Sequence, residues 1–533
     1  MKLSLPLPLR GLAVCACLVI ATVAAAADGA FQYQNPVRAG DFPDPSVIRV
    51  GSDYWAAATS SEWAPHFPLL HSRDLVNWEV TGHVFATTPA WAKSNFWAPE
   101  IAEDHGTFFL YYVARETASN HLAVAVATAD QPGGPWTNHG PLVAQDAGSI
   151  DPVPFTDAEG VRWLVWKEDG NSRKQPTILW LQRLRADGLA LVGERREILR
   201  NDAPWEGAVV EGPFVLRRDG YYYLFYSGAA CCGKNCNYAL GVARAKTMTG
   251  PWEKAPANPI LATNDAWRCP GHGSIVTDPD GRLWLLYHAY AQKGFVATGR
   301  ELMLDEVVFG SDGWPTINRG TGPSVHAAGP RAATAQADTT LVRDDFDRDG
   351  ELGVGWQWLI GSKPAAHVAG GALTLTAGAG LSSTALMSTV RSITVPTFVS
   401  ETALDPKHLA AGASAGLVIY GDRANHIALL TDGRTAQVWS QQRGQAVKVA
   451  EAPVASAAPV RLRIACLDGN RFQFAIQDER GAWKEIGDNT DGSFLPPWDR
   501  GVRTGLGVSG PAGATASFDY FSATPGDENL FAK

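Results

Sequence analysis

Apolar positions along this chain come in short, dense runs rather than at helical spacing, and the runs repeat. A glycine followed by an aromatic and β-branched stretch occurs as GSDYWAAATS from Gly51, GTFFLYYVA from Gly106, GVRWLVWKED from Gly160, GYYYLFYSG from Gly220 and GRLWLLYHAY from Gly281, at intervals of roughly 55 to 60 residues. Each run has the length and residue types of a strand, and long amphipathic helical patterns are missing. The middle repeats add a further strand and a tryptophan-bearing turn, AVAVATADQPGGPW at 123–136 and ALGVARAKTMTGPW at 239–252, while the first carries LLHSRDLVNW at 69–78. A unit of about four short strands is one propeller blade, so residues 31–320 are predicted to form a five-bladed β-propeller.

From 321 to 340 the pattern gives way to Ala, Gly, Pro and Thr, the composition of a linker. Beyond it, RDDFDRDG at 343–350 opens a region of alternating strands such as GALTLTAG, SAGLVIYG, HIALLTDG and PVRLRIACLDG, which predicts a β-sandwich over 341–524. Residues 525–533 carry no periodicity and read as a loose tail. The fold class is therefore all-β, a propeller followed by a sandwich. Two domains suit a chain of 533 residues, since single cores stop growing at about 250 residues.

At the N-terminus, Lys2 and Arg10 precede an apolar run from Leu12 to Ala26 that ends in small residues before Asp28, the pattern of an export signal over residues 1–27 and of a secreted or periplasmic protein. No later stretch approaches the roughly 20 apolar residues of a membrane span. A net charge of −9 and the absence of any Lys/Arg run argue against nucleic acid as a partner. With 19 Trp beside 54 Gly and 34 Pro, a turn-rich β protein with aromatic surfaces suits carbohydrate better. Removal of the signal leaves Cys231, Cys232, Cys236, Cys269 and Cys466, an odd number in an oxidising compartment. GAACCGKNCNY lacks the spaced second pair of a zinc ribbon, so a loop-stapling disulfide is expected there; the pairing cannot be read, and Cys466, far along the chain, is the best candidate for the unpaired thiol.

Three acidic motifs sit at matching places in three repeats. Asp44 in DFPDPSVIRV precedes the first strand of unit one, Asp151 lies in GSIDPVPFTD of unit three, and Glu211 lies in VVEGPFVLRRDG of unit four. Innermost strands begin at the axial mouth of a propeller, so three carboxylates are aimed at one point. Splitting an acetal needs one protonated carboxyl at the leaving oxygen and one carboxylate to activate water. A third carboxylate whose charge disfavours ionisation of its neighbour gives the two otherwise equal acids unlike roles. Asp41 and Asp74 read as turn residues that satisfy backbone donors, and Trp97 in NFWAPE either floors a sugar site or packs in the core.

These residues resemble glycoside hydrolase family 43, whose members are five-bladed β-propellers; the likeness covers about residues 31–320, with Asp-Pro, Asp-Pro and Glu-Gly-Pro in order on the right blades. It implies that Asp44 is the general base, that Asp151 tunes and orients the acid, and that Glu211 is the general acid. It also implies a channel cation, calcium by its hardness, at His272 in Gly271-His272-Gly273-Ser274, and contact of Arg300 with the sugar. Glu100 stands where the family often has Asp. The C-terminal half is similar to the concanavalin-like sandwich of some family members, expected to act as a buttress, with carbohydrate binding or a loop reaching the catalytic mouth as the other roles. The implied activity is an inverting, secreted hydrolase of plant cell-wall polysaccharide, first an α-L-arabinofuranosidase on arabinan or arabinoxylan. β-Xylosidase, endo-arabinanase and galactofuranosidase are alternatives, and a sugar-binding propeller lectin is the non-enzymatic one.

Overall fold

The computed structural model describes Met1 and residues 31–377, 386–454 and 459–531; the stretch read as an export signal lies, beyond Met1, outside them. Five four-stranded sheets follow one another along the chain. Their innermost strands are Ser46–Val50, Ala92–Asp104, Ser149–Thr156, Val210–Arg218 and Trp267–Thr277, each paired antiparallel with the next strand of its own blade. The repeating glycines occupy the turn between these two strands. Gly51, Gly106, Gly160, Gly220 and Gly281 all have φ between 63° and 82°, and a Cβ on any of them would meet nothing within 4 Å. Backbone conformation, rather than space, therefore sets the repeat.

No blade is built from both ends of the propeller sequence, so closure depends on a strap. Gln32–Gln34 pairs with His326–Ala328, Asn35 exchanges hydrogen bonds with Leu304, and Val37 N donates to Leu302 O. Apolar side chains fill the spaces between blades, as where Leu70, Trp78, Trp284 and Leu304 meet.

The sandwich has a six-stranded sheet facing a nine-stranded one, with Leu417, Leu429, Leu462, Ile464, Phe472, Leu506 and Phe518 in its core. It shares structure with blade one. Trp358–Leu359 pairs with Trp63–Ala64, and Trp63 is buried among Val390, Val418 and Tyr420. Asp41 accepts from Arg503 Nη2 at 3.1 Å and from Gly501 N at 2.9 Å, a buried ion pair that ties the domains together.

The stretch read as a linker and the described part of the tail read as loose are both bound. The linker composition at 321–340 hides specific anchors: Thr334 Oγ1 donates to Asp74 Oδ2 at 3.0 Å, Ala337 N to Asn77 Oδ1 at 2.8 Å, and Gln336 bonds Gln34. In the tail, Gly526 N donates to Thr397 O and Glu528–Phe531 makes a 3₁₀ turn. Hydrogen bonds to distant partners leave no local periodicity to read. Cys236 pairs with Cys269, Cys231 pairs with its neighbour Cys232, and Cys466 is a buried free thiol.

Candidate active site

At or just before each innermost strand one left-handed residue falls at a matching place in the blade: Asp44, Ala98, Asp151, Gly212 and His272, with φ from 40° to 55°. On four blades a proline follows, Pro45, Pro99, Pro152 and Pro213. The ladder shifts register there on blades two to five. Such backbone is costly for residues with a Cβ and turns a side chain that would follow the sheet toward the axis. Gly212 cannot be replaced cheaply, since a Cβ would lie 2.8 Å from His272 Cγ. Blade two has Ala98 where blades one and three have aspartate.

Asp44, Asp151 and Glu211 line one cavity of about 330 Å³ with Trp97, Lys167, His272 and Arg300. The three carboxylates are 7%, 5% and 9% exposed, so they sit deep in a pocket. Glu100 does not line it. A cavity of about 420 Å³ between blade one and the sandwich, around Arg38, Arg391 and Arg503, holds none of the three.

Asp44 is gripped on every side. Arg300 Nη1 donates to its Oδ1 at 2.7 Å, Thr59 Oγ1 to its Oδ2 at 2.7 Å, and its own N–H donates to His288 Nδ1 at 3.0 Å. Burial alone would raise its pKa. Arg300, with His272 and the Thr59 hydroxyl, outweighs that and holds it at about 2. His288 is kept neutral, burial and Arg300 pushing its pKa well down, which suits an Nδ1 that accepts from Asp44.

Arg300, expected to touch sugar, is committed to Asp44 and to Asp499 O, which accepts from Nη2 at 3.0 Å. It lines the cavity, but its first work in the structure is to fix the Asp44 carboxylate.

The opposite group is built differently. Asp151 Oδ2 accepts from Gly212 N at 2.9 Å, beside Glu211, and Glu211 Oε2 accepts from Lys167 Nζ at 2.6 Å. Lys167 also donates to Asp169 Oδ1 at 2.9 Å. Burial, and then the Glu211 charge, raise the Asp151 pKa against the pull of His272 and Lys167. Burial disfavours the Lys167 ammonium, yet Glu211, Asp169 and Asp151 more than restore it and its pKa rises. That raised pKa lets Asp151 keep a proton beside Glu211. One side of the cavity thus holds a fixed anion and the other can hold a proton.

Trp97 reaches the cavity and hydrogen bonds Ser61 Oγ at 3.2 Å. Its ring stands edge-on to Trp498, with centroids 5.8 Å apart. Trp498 belongs to the sandwich, is 61% exposed, and with Asp499 completes the cavity. The C-terminal domain is therefore both a buttress and the owner of a loop at the mouth. Sequence reasoning missed Lys167, Asp169, Trp498 and Asp499. A lone lysine closing the aromatic strand RWLVWKE was a legible signal for the first; the last two sit in an aperiodic loop and gave none.

His272 Nδ1 lies 3.4 Å from Asp44 Oδ1. Among the described residues no three His, Cys, Asp or Glu side chains gather in a form that could hold a metal ion. A cation on the axis would rest on the single His272 imidazole and on water.

A five-bladed propeller whose axial pocket opposes a fixed carboxylate to a carboxyl pair defines the class of propeller glycosidases. The family assignment is equally direct: residues 33–315 match the model for glycosyl hydrolases family 43 and residues 343–524 that for the beta xylosidase C-terminal concanavalin A-like domain, and the chain belongs to family 43. It is 32% identical over 356 residues to xylosidase/arabinosidase 43B of Humicola insolens, which covers 62% of each chain; the chain spans about three fifths of the length of such curated relatives. Among solved structures it resembles the GH43 protein BlXynB of Bacillus licheniformis, with a TM-score of 0.79 and 27% identity over 93% of this chain and 100% of that one. It also resembles the xylan beta-1,4-xylosidase of Bacillus halodurans, with a TM-score of 0.78 and 25% identity over 92% and 100%.

Proposed function

We propose that the protein is an exo-acting, inverting glycosidase that removes a terminal pentosyl unit from xylan- or arabinan-type plant polysaccharide. The observation that carries this reading is the unlike setting of carboxylates around one pocket. Asp44, held ionised by Arg300, takes a proton from water as the water attacks the anomeric carbon. Glu211, backed by Asp151 and steadied by Lys167, gives a proton to the departing oxygen. The bond from the anomeric carbon to that oxygen breaks as the bond to water forms, and inversion follows because water enters from the Asp44 side.

Exo action is supported by Trp498 and Asp499, which close part of the pocket and favour one chain end over a threaded polymer. The α-L-arabinofuranosyl unit is the first expectation. A β-xylosyl unit is the second reading, favoured by the beta xylosidase type of the C-terminal domain and by the name of a structural relative. Nitrophenyl arabinofuranoside and xyloside assayed side by side separate the two. Proton NMR in the first seconds of hydrolysis tests the mechanism: the released sugar is expected as the anomer opposite to the substrate, and the retained anomer would make Asp44 a nucleophile.

Export is part of the proposal, tested by finding the chain cut near Ala26 or Ala27 outside the cytoplasm. So is a channel calcium held by His272 and water, which elemental analysis and a melt lowered by chelation would support; an unchanged melt with no bound calcium would remove it.

A further inference from the structure

One wall of the cavity has no part in the proton transfers. Cys231 and Cys232 both line it, are half-buried, and are bonded to each other. A bond between neighbours closes no chain loop. The loop-closure gain that normally explains a disulfide is then nearly nil, whereas Cys236–Cys269, with a sequence separation of 33, staples the segment to the innermost strand of blade five. Loop closure therefore does not account for the vicinal bond.

We propose that the Cys231–Cys232 ring is a contact surface for the bound sugar, packing against the C–H face of the terminal pentosyl unit. The inference rests on the glycosidase reading of this site. A disulfide carries no N–H or O–H donor, and its sulfurs are soft and polarisable. A sugar ring presents hydroxyl edges and an apolar face, and the cavity is divided to match. Asp44, Glu211, Lys167 and Arg300 supply the charged groups, while the disulfide and two tryptophans supply apolar surface.

The ring is also held in place. Ala230 N donates to Asn237 Oδ1 at 2.9 Å and Asn237 N to Ala230 O at 3.0 Å. Gly233 N donates to Tyr290 OH at 3.2 Å, and Lys234 Nζ to Ser493 O in the sandwich. Cys231 packs on Tyr238, Cys269, Tyr290 and Val296. A Cβ on Gly233 would lie 3.2 Å from Trp498 O, so this loop and the Trp498 loop abut. A surface fixed in this way loses little freedom when a ligand docks.

Peptide mapping without reduction is expected to recover Cys231 bonded to Cys232 and Cys236 bonded to Cys269; free Cys231 and Cys232 thiols would overturn the proposal. The Cys231→Ser/Cys232→Ser double variant keeps the staple. On short xylo- and arabino-oligosaccharides its KM is expected to rise about ten-fold, with kcat within about three-fold of wild type and Tm within about 2 °C. KM within two-fold of wild type, or a loss confined to kcat, would overturn it. Glu211→Gln in the same assay keeps the two ideas apart. If it is inactive while the cysteine variant binds normally, only this inference falls; if it is fully active, the reading of the site falls.

Discussion

The two sides of the pocket carry the same chemical group and treat it in opposite ways. On blade one a single carboxylate meets one arginine, two imidazoles and a hydroxyl, and is held at a pKa of about 2. Across the axis, Asp151 and Glu211 crowd each other with Lys167 as the one ammonium bonded to the pair. The difference lies in the ratio of cations to carboxyls rather than in burial, since all three acids are almost equally enclosed. An acid with its own counter-charge is kept ionised; two acids sharing one counter-charge can keep a proton.

The largest effects come from removing either charge. Asp44→Asn and Glu211→Gln are each expected to cut kcat by about 10²- to 10⁴-fold, but their melts should differ. Asp44→Asn leaves the buried Arg300 guanidinium with no ion-paired carboxylate and lowers stability by roughly 3–5 kcal/mol, whereas in Glu211→Gln Lys167 keeps its pair with Asp169 and the variant melts near wild type. Equal melts would show that the grip on Asp44 is weaker than its geometry implies.

Next come shifts of the basic limb of kcat/KM, each of about one pH unit. Asp151→Asn removes the negative charge that discourages loss of the pair's proton, so the limb moves to lower pH. Lys167→Met removes the positive charge that encourages it, so the limb moves to higher pH. Shifts in the same direction would contradict the electrostatic account.

The smallest effect is on acid stability. The folded pKa of Asp44 is depressed from 3.8 to about 2, so its contribution is present above about pH 4 and is lost as pH falls through 2. This amounts to roughly 2 kcal/mol. Denaturant melts between pH 5 and pH 2 should slope less in Asp44→Asn than in wild type.

Much of the blade-one side was legible in sequence. The five glycine turns set the blade count, and the acidic motifs fall at one level of that repeat. Asp44, Asp151, Glu211, Trp97, His272 and Arg300 all line the same cavity. What could not be read was partnership. Arg300 sits 256 positions from Asp44, and nothing local shows that it braces the carboxylate rather than waiting for sugar. Trp498 and Asp499 come from another domain, brought in by the Asp41–Arg503 pair and the Trp63 strand pairing. The vicinal disulfide was one of several pairings that cysteine spacing allows, and only the three-dimensional path of the 229–237 loop chooses it. Local chemistry repeats along a propeller; contacts across its axis and between domains do not.

The central claim is that protonation of the leaving group and activation of water belong to different sides of the pocket, and leaving-group dependence separates them most directly. A dinitrophenyl pentoside departs without help from an acid, whereas an unactivated disaccharide does not. Glu211→Gln is expected to hydrolyse the activated substrate within about ten-fold of wild type while failing on the disaccharide, and Asp44→Asn is expected to fail on both. If Glu211→Gln loses both substrates equally, or Asp44→Asn is the variant rescued by the better leaving group, the assignment of acid and base proposed for this pocket is wrong.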